Sequence, residues 1–181
     1  FFDLKRVVSQ KIAQDFDSLK IVIGQQMASW KLPACLSESN TRISRGENYE
    51  GYPWMVLDYP SDFSKSDIFA IRTIFLWGRH ISLNVHLSGK YMNNMNWKRL
   101  EIIKSELLYL SIHENPWKHH LTGEYFKLLR QFQNEPTEIE NFFKNLGYIK
   151  LSTFIPLDRY EETKAVAVKF LDETKNLINF D

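Results

Sequence analysis

Leu4, Val8, Ile12, Phe16, Leu19, Ile23, Met27 and Trp30 recur at three- and four-residue steps, the spacing that places side chains on one side of an α-helix. The pattern predicts an amphipathic helix over about 3–30, with Gly24 as a point where it can bend and Pro33 as its stop. A polar stretch from Ser37 to Arg45 then leads through Gly46 and Gly51 into an aromatic region of Tyr49, Tyr52, Trp54, Tyr59 and Phe63. Within it, Trp54 to Leu57 reads as a buried strand.

The period falls from 3.6 to two at His80. In His80-Ile81-Ser82-Leu83-Asn84-Val85-His86-Leu87 every second residue is apolar, so a strand here carries Ile81, Leu83, Val85 and Leu87 on one face and His80, Ser82, Asn84 and His86 on the other. The preceding run, Ile68 to Trp77, also fits helical spacing at Ile68, Ile71 and Phe75, but its β-branched and aromatic content favours a strand. Gly78-Arg79 between the two suits a two-residue hairpin of type II′, with Gly at the position that needs positive φ. That turn would set Trp77 opposite His80, Phe75 opposite Ser82, Thr73 opposite Asn84 and Ile71 opposite His86. Thr73 then joins the polar face, and Arg72 falls on the other side beside Val85.

Beyond Gly89 the pattern is helical again. Asn96 is a candidate N-cap for a helix striped by Trp97, Leu100, Ile103, Leu107 and Leu110, and Asn115-Pro116 interrupts it. A second helix carries Tyr125, Phe126, Leu129 and Phe132. Thr137 to Glu140 has capping-box spacing for a short helix ended by Gly147, Tyr148 to Ile155 reads as a strand, and Asp158 with Glu161 caps a last helix striped by Tyr160, Val166, Phe170, Leu171 and Leu177. Strands cluster within about 42–87 with one more near 148–156. Short turns join the clustered strands, so the expected fold is α+β: an antiparallel sheet covered by helices, with long N-terminal and C-terminal helices. No repeat or linker divides the chain, and 1–181 is expected to form a single globular domain.

Composition narrows the function classes. With 23 Lys and Arg against 22 Asp and Glu there is no global field to steer the chain onto nucleic acid or anionic lipid, and neither is expected as a partner. Cys35 is the only cysteine, so no intramolecular disulfide forms and a cytoplasmic location fits. Apolar runs such as Ile74 to Trp77 fall far short of the roughly 20 residues of a membrane helix. The chain starts at Phe1 rather than Met, leaving room for an upstream piece.

The polar row is the leading candidate site: His80, Ser82, Asn84 and His86, with Thr73, for a small molecule or anion, and Arg79 and Lys90 nearby as anion-binding residues. His80 and His86 lie roughly 20 Å apart along a strand, too far to share an ion. One of them could meet His113, His119 or His120, but those spacings match no zinc pattern, and no metal or other cofactor is expected. Ser82 with a histidine two residues away makes no direct hydrogen bond, and no Gly-x-Ser-x-Gly elbow is present. Cys35 lacks a nearby histidine and reads as a small buried apolar residue rather than a reactive thiolate. Leu87-Ser88-Gly89-Lys90 stands where a phosphate loop would, without the first glycine of one.

Arg42, Arg45, Arg72, Arg79 and Lys90 with the tyrosines of 49–59 could form a basic aromatic surface. Asp58, Glu47 and Asp67 could instead supply carboxylates for a metal-dependent nuclease, and Trp54, Trp77, Trp97 and Trp117 could line a pocket or simply fill the core. The competing readings are a binding domain that uses the polar face, a protein-interaction module using the aromatics of 49–63 and the N-terminal helix, and an enzyme with His80 or His86 as general base.

Overall fold

The computed structural model describes residues 2–37, 40–103, 105–132 and 135–180. Phe1 and positions 38 and 39 of the polar stretch lie outside the described residues. The first apolar stripe forms α1, Phe2–Met27, and Ile12, Phe16, Leu19, Ile23 and Met27 are buried along it. Gly24 does not break the helix. Its missing side chain lets the Tyr59 hydroxyl approach to 3.4 Å of where a Cβ would stand. After Pro33 a single turn, α2 (Ala34–Ser37), seats Leu36 in the core.

Four strands follow as an antiparallel meander: β1 (Arg42–Tyr49), β2 (Tyr52–Phe63), β3 (Ile68–Leu76) and β4 (His80–Ser88). Later in the chain come β5 (Tyr109–Ser111), β6 (Phe126–Leu128) and β7 (Tyr148–Pro156). The seven strands form one antiparallel sheet in the order β1-β2-β3-β4-β7-β5-β6. Two further helices, α3 (Pro136–Leu146) and α4 (Thr163–Lys175), complete the α+β fold. Pro136 presets φ at the first position of α3, and Gly147, at φ 83° in the left-handed region, ends it as the sequence predicts. Thr137 lies inside the first turn rather than at the cap.

Two expected helices are not formed. Trp97–Glu101 is a 3-10 turn, and position 104 lies outside the described residues. The Ser105 hydroxyl then accepts from the amides of Leu107 and Leu108 at 3.0 and 3.1 Å, a local bond that competes with helix and turns the chain into β5. Phe126 falls in β6 because Phe126 pairs with Ser111 and Leu128 with Tyr109; sheet pairing overrides a short helical stripe. The last helix begins later than the sequence suggests, with Leu157–Glu162 in a 3-10 turn ahead of α4.

The turn between β3 and β4 has three residues, not two. Leu76 pairs with His80, and Gly78, at φ 65°, is the middle loop residue. One residue of slip exchanges the faces of a strand, so the expected pairing is corrected throughout: Thr73 stands opposite Leu83, Arg72 opposite Asn84 and Ile71 opposite Val85. Thr73 therefore leaves the polar face and Arg72 joins it.

The two faces of the sheet differ in what covers them. On one, Leu57, Ile71, Phe75, Leu83, Val85, Leu151 and Ile155 pack with the buried stripe of α1 and with Ala167, Phe170 and Leu171 of α4. The other face carries the polar residues and is covered by the irregular segment 112–125.

Candidate functional site

The strand register aligns the polar residues in rows across the sheet. Asp58, Arg72, Asn84, Ser152 and Tyr109 are successive cross-strand partners on β2, β3, β4, β7 and β5. In the next row His86 stands opposite Lys150, where Cβ atoms of antiparallel partners come within about 4.5–5.5 Å. Asp58, Ser82, Asn84, His86, Lys150 and Ser152 are all 2% exposed or less. So dense a polar group needs internal partners.

Most of it has them. Arg72 donates through Nε and Nη2 to the two carboxylate oxygens of Asp58 at 2.6 and 3.2 Å, a fork that suits a desolvated pair. Asn84 is saturated: its amide nitrogen donates to Ser82 Oγ and to the Arg72 carbonyl, and its oxygen accepts from Ser152 Oγ at 2.7 Å. The roof is tied down by polar contacts. Lys150 Nζ donates to the carbonyls of Pro116 and Lys118 at 2.5 and 2.7 Å. The His80 ring nitrogen Nε2 lies 3.0 Å from the His119 carbonyl, the His119 amide donates to Tyr49 Oη, and Tyr148 Oη donates to the His113 carbonyl. At the rim Glu50 pairs with Lys118 and His120. Trp117 stacks on His86 at 5.4 Å and lies beneath the Arg72 guanidinium at 5.1 Å.

Two groups are left over. The Nδ1 atoms of His86 and His119 are shut off from solvent with no hydrogen-bond partner among the described residues, although His119 as a residue is only partly buried. Burial, reinforced by the charges of Lys150 and Arg72, drives His86 down to about 3 and His119 well below the ordinary imidazole value. Burial takes His80 to about 4. All three rings are neutral at pH 7. Burial, with Arg72 beside it, lowers the Lys150 amine to about 7, and among the described residues no carboxylate pairs with it. Asp58 is committed to Arg72, so the enclosed cluster carries a surplus cation whenever Lys150 is protonated.

The sequence-predicted residues divide accordingly. His80, Ser82, Asn84 and His86 share the polar face, under a loop rather than a helix. Thr73 lies on the helix side, its hydroxyl without a partner among the described residues. Arg79 stacks over Tyr52 at 4.3 Å, while Lys90 is past the opposite end of β4, so the two do not converge. The Lys90 amide donates to Asp67 Oδ1 at 2.9 Å; an internal carboxylate occupies the place an anion would take. Gly89 has no room for a Cβ there, which would meet Asp67 Oδ1 at 2.1 Å. The three proposed nuclease carboxylates scatter, Asp58 to Arg72, Glu47 to Lys5 and Asp67 to this turn. Among the described residues, no group of three or more His, Cys, Asp and Glu is placed to hold a metal ion. Of the aromatics at 49–63, Tyr49, Tyr52, Trp54 and Tyr59 are half-buried and Phe63 is exposed. Cys35 is exposed rather than buried, 3.7 Å from Tyr91 Oη.

Sequence reasoning named His119 as a possible partner of His80 or His86 and Trp117 as a possible pocket residue, but it did not single out Lys150 or Ser152. A signal for these two was present, because Tyr148, Lys150, Ser152 and Phe154 alternate with Ile149, Leu151, Thr153 and Ile155 just as the residues of β4 do. No helix among the described residues is long and apolar enough to cross a membrane. No family model matches the chain, and searches of curated proteins and of solved structures likewise find no match.

Proposed function

We propose that the protein binds a small acidic molecule on the polar face of β4 and β7, beneath the segment 112–125. The reading rests on Lys150, a 1% exposed amine with two carbonyl acceptors and no carboxylate partner among the described residues. An ammonium has three protons to donate, and a ligand oxygen takes the third. Neutral His86 and His119, each with an enclosed ring nitrogen that has no partner among the described residues, and the Arg72–Asp58 fork supply the rest of a polar site that is dry enough to make each contact count. On this reading 1–181 acts as one domain, is cytoplasmic and takes neither nucleic acid nor membrane as a partner.

The test is thermal unfolding with inorganic phosphate and with acetate, on the wild type and on Lys150→Met. Saturation at 100 times the dissociation constant adds about 2.7 kcal/mol to stability. The expected result is a rise in the wild type that is larger at pH 6 than at pH 9, where the amine is neutral, and that is lost in the variant. An equal rise in both proteins, or none in either, overturns the reading.

A second reading has its own observation. A groove of about 630 Å³ runs between α1 and the edge strand β1, lined by Lys5, Arg6, Arg45, Ile43 and Met55 among others. An edge strand with unpaired backbone groups and basic flanks suits an added acidic strand, as an interaction module would. The charges of Arg42, Arg45 and Glu47 on that edge serve equally to keep other strands away, so the buried polar face carries the stronger case.

A further inference from the structure

The two carbonyls that hold Lys150 fix the third direction of its nitrogen. A neutral amine has two N–H groups, and Pro116 O at 2.5 Å and Lys118 O at 2.7 Å take both. The lone pair is left free. An ammonium in the same place would keep one proton that no described oxygen accepts, with only the ring face of Phe126 at 5.1 Å to soften it. The geometry thus accommodates the nucleophilic form of the amine with both of its N–H groups satisfied, and its direct cross-strand neighbour is His86, whose enclosed Nδ1 has no partner among the described residues.

We propose that Lys150 is a carbonyl-reactive amine, condensing with a small aldehyde or 2-oxo acid to form a Schiff base while His86 relays the protons. In the first step the Nζ lone pair attacks the carbonyl carbon. A C–N bond forms, the C=O π pair moves to oxygen, and the proton lost by nitrogen passes through His86 to that oxygen, giving a carbinolamine. In the second step the nitrogen lone pair forms the C=N bond as the C–O bond breaks, and the hydroxyl leaves as water with the remaining N–H proton, passed to it through His86, so amine plus carbonyl gives imine plus water and no oxidant or reductant is consumed. A neutral imidazole suits the relay, since it accepts at one ring nitrogen and donates at the other. Burying an amine to keep it unprotonated is an established means of activating a lysine nucleophile.

Access follows from the roof. No described side chain from Ile112 to Tyr125 is fully buried, and Trp117 and Leu121 are 41% and 43% exposed. Segments held by few apolar contacts open at low free energy. Lys150 is itself one of the tethers, so opening the segment and freeing the amine are one event.

The inference rests on the reading that a small acid reaches this face, and the experiment separates the two. Wild type, Lys150→Arg and Lys150→Met are incubated with glyoxylate and cyanoborohydride, which reduces the imine to a stable carboxymethyl-lysine, and the modified residues are mapped by peptide mass spectrometry. The expected result is modification of Lys150 on the order of tenfold faster than of surface lysines, whose amines are almost wholly protonated at pH 7. Its rate rises with pH through about 7, and both variants lose the fast site. Modification spread over surface lysines with Lys150 untouched overturns the proposal, and so does an equal rate at Lys150 and the surface. If phosphate stabilises the wild type but Lys150 is not trapped, the carbonyl chemistry fails alone. If Lys150 is trapped while phosphate and acetate have no effect, the carbonyl chemistry stands, a small acid reaches the face, and reversible binding of simple anions there falls.

Discussion

The two faces of the sheet are built from alternate residues of the same strands and were finished in opposite ways. Toward α1 and α4, Ile71, Leu83, Val85 and Leu151 meet side chains of their own kind, where close packing and loss of apolar area from water provide the stability. Toward 112–125, their immediate neighbours Arg72, Asn84, Lys150 and Ser152 meet backbone carbonyls, one another and neutral imidazoles. Burying such groups adds little net stability and costs several kcal/mol wherever a partner is missing. A polar network kept beside an adequate apolar core is where function is to be sought, because a site that binds must hold groups that are not fully satisfied.

Substitutions on the two faces and at the rim test that contrast. Leu83→Ala, on the helix side, removes a side chain with no exposure and should cost about 3–5 kcal/mol by the cavity rule, read from the midpoint of equilibrium denaturant unfolding. A loss below about 1 kcal/mol would mean the two faces do not differ in this way.

Lys150→Met keeps most of the length of the side chain and removes the buried amine together with its bonds to the Pro116 and Lys118 carbonyls, so relative to wild type it should gain stability as pH falls from 10.5 toward 7. The amine sits near 7 in the fold and near 10.5 in the unfolded chain, so between those values the unfolded state binds the extra proton. Wild-type stability therefore rises as pH goes from 7 toward 10.5. The variant should lose that slope, and unfolding curves taken across this window decide it. A destabilised variant with an unchanged slope would make Lys150 a structural tether only.

Glu50→Gln should have the smallest effect. It weakens the rim pairs with Lys118 and His120, which are of the exposed kind that contributes little, so the unfolding midpoint should not move. Amide exchange across 112–125 should nevertheless quicken if the roof opens as a unit. Unchanged exchange there would show that the rim pairs do not govern opening.

The alternation of β4 is a case where local pattern was enough. Its period of two requires opposite faces whatever the partners are, because successive side chains of any strand point apart. The stripe of α1 and the glycine end of α3 were legible for the same reason: spacing and φ are properties of a few neighbouring residues. The pairing of β3 with β4 was not, since Trp77-Gly78-Arg79 and Gly78-Arg79 both make acceptable turns. Choosing between them exchanged Thr73 for Arg72 in the candidate site.

The chain by itself thus determined the α+β class, the long first helix and the existence of a polar row from His80 to His86, all consequences of periodicity. Only the tertiary structure decided that β7 lies beside β4 and sets Lys150 against His86, that Asp58 neutralises Arg72, and that 112–125 closes over them. Those contacts join residues 14 to 68 positions apart, and their choice depends on which long-range pairing buries the most apolar surface while leaving the fewest polar groups unpaired. No local pattern carries that sum.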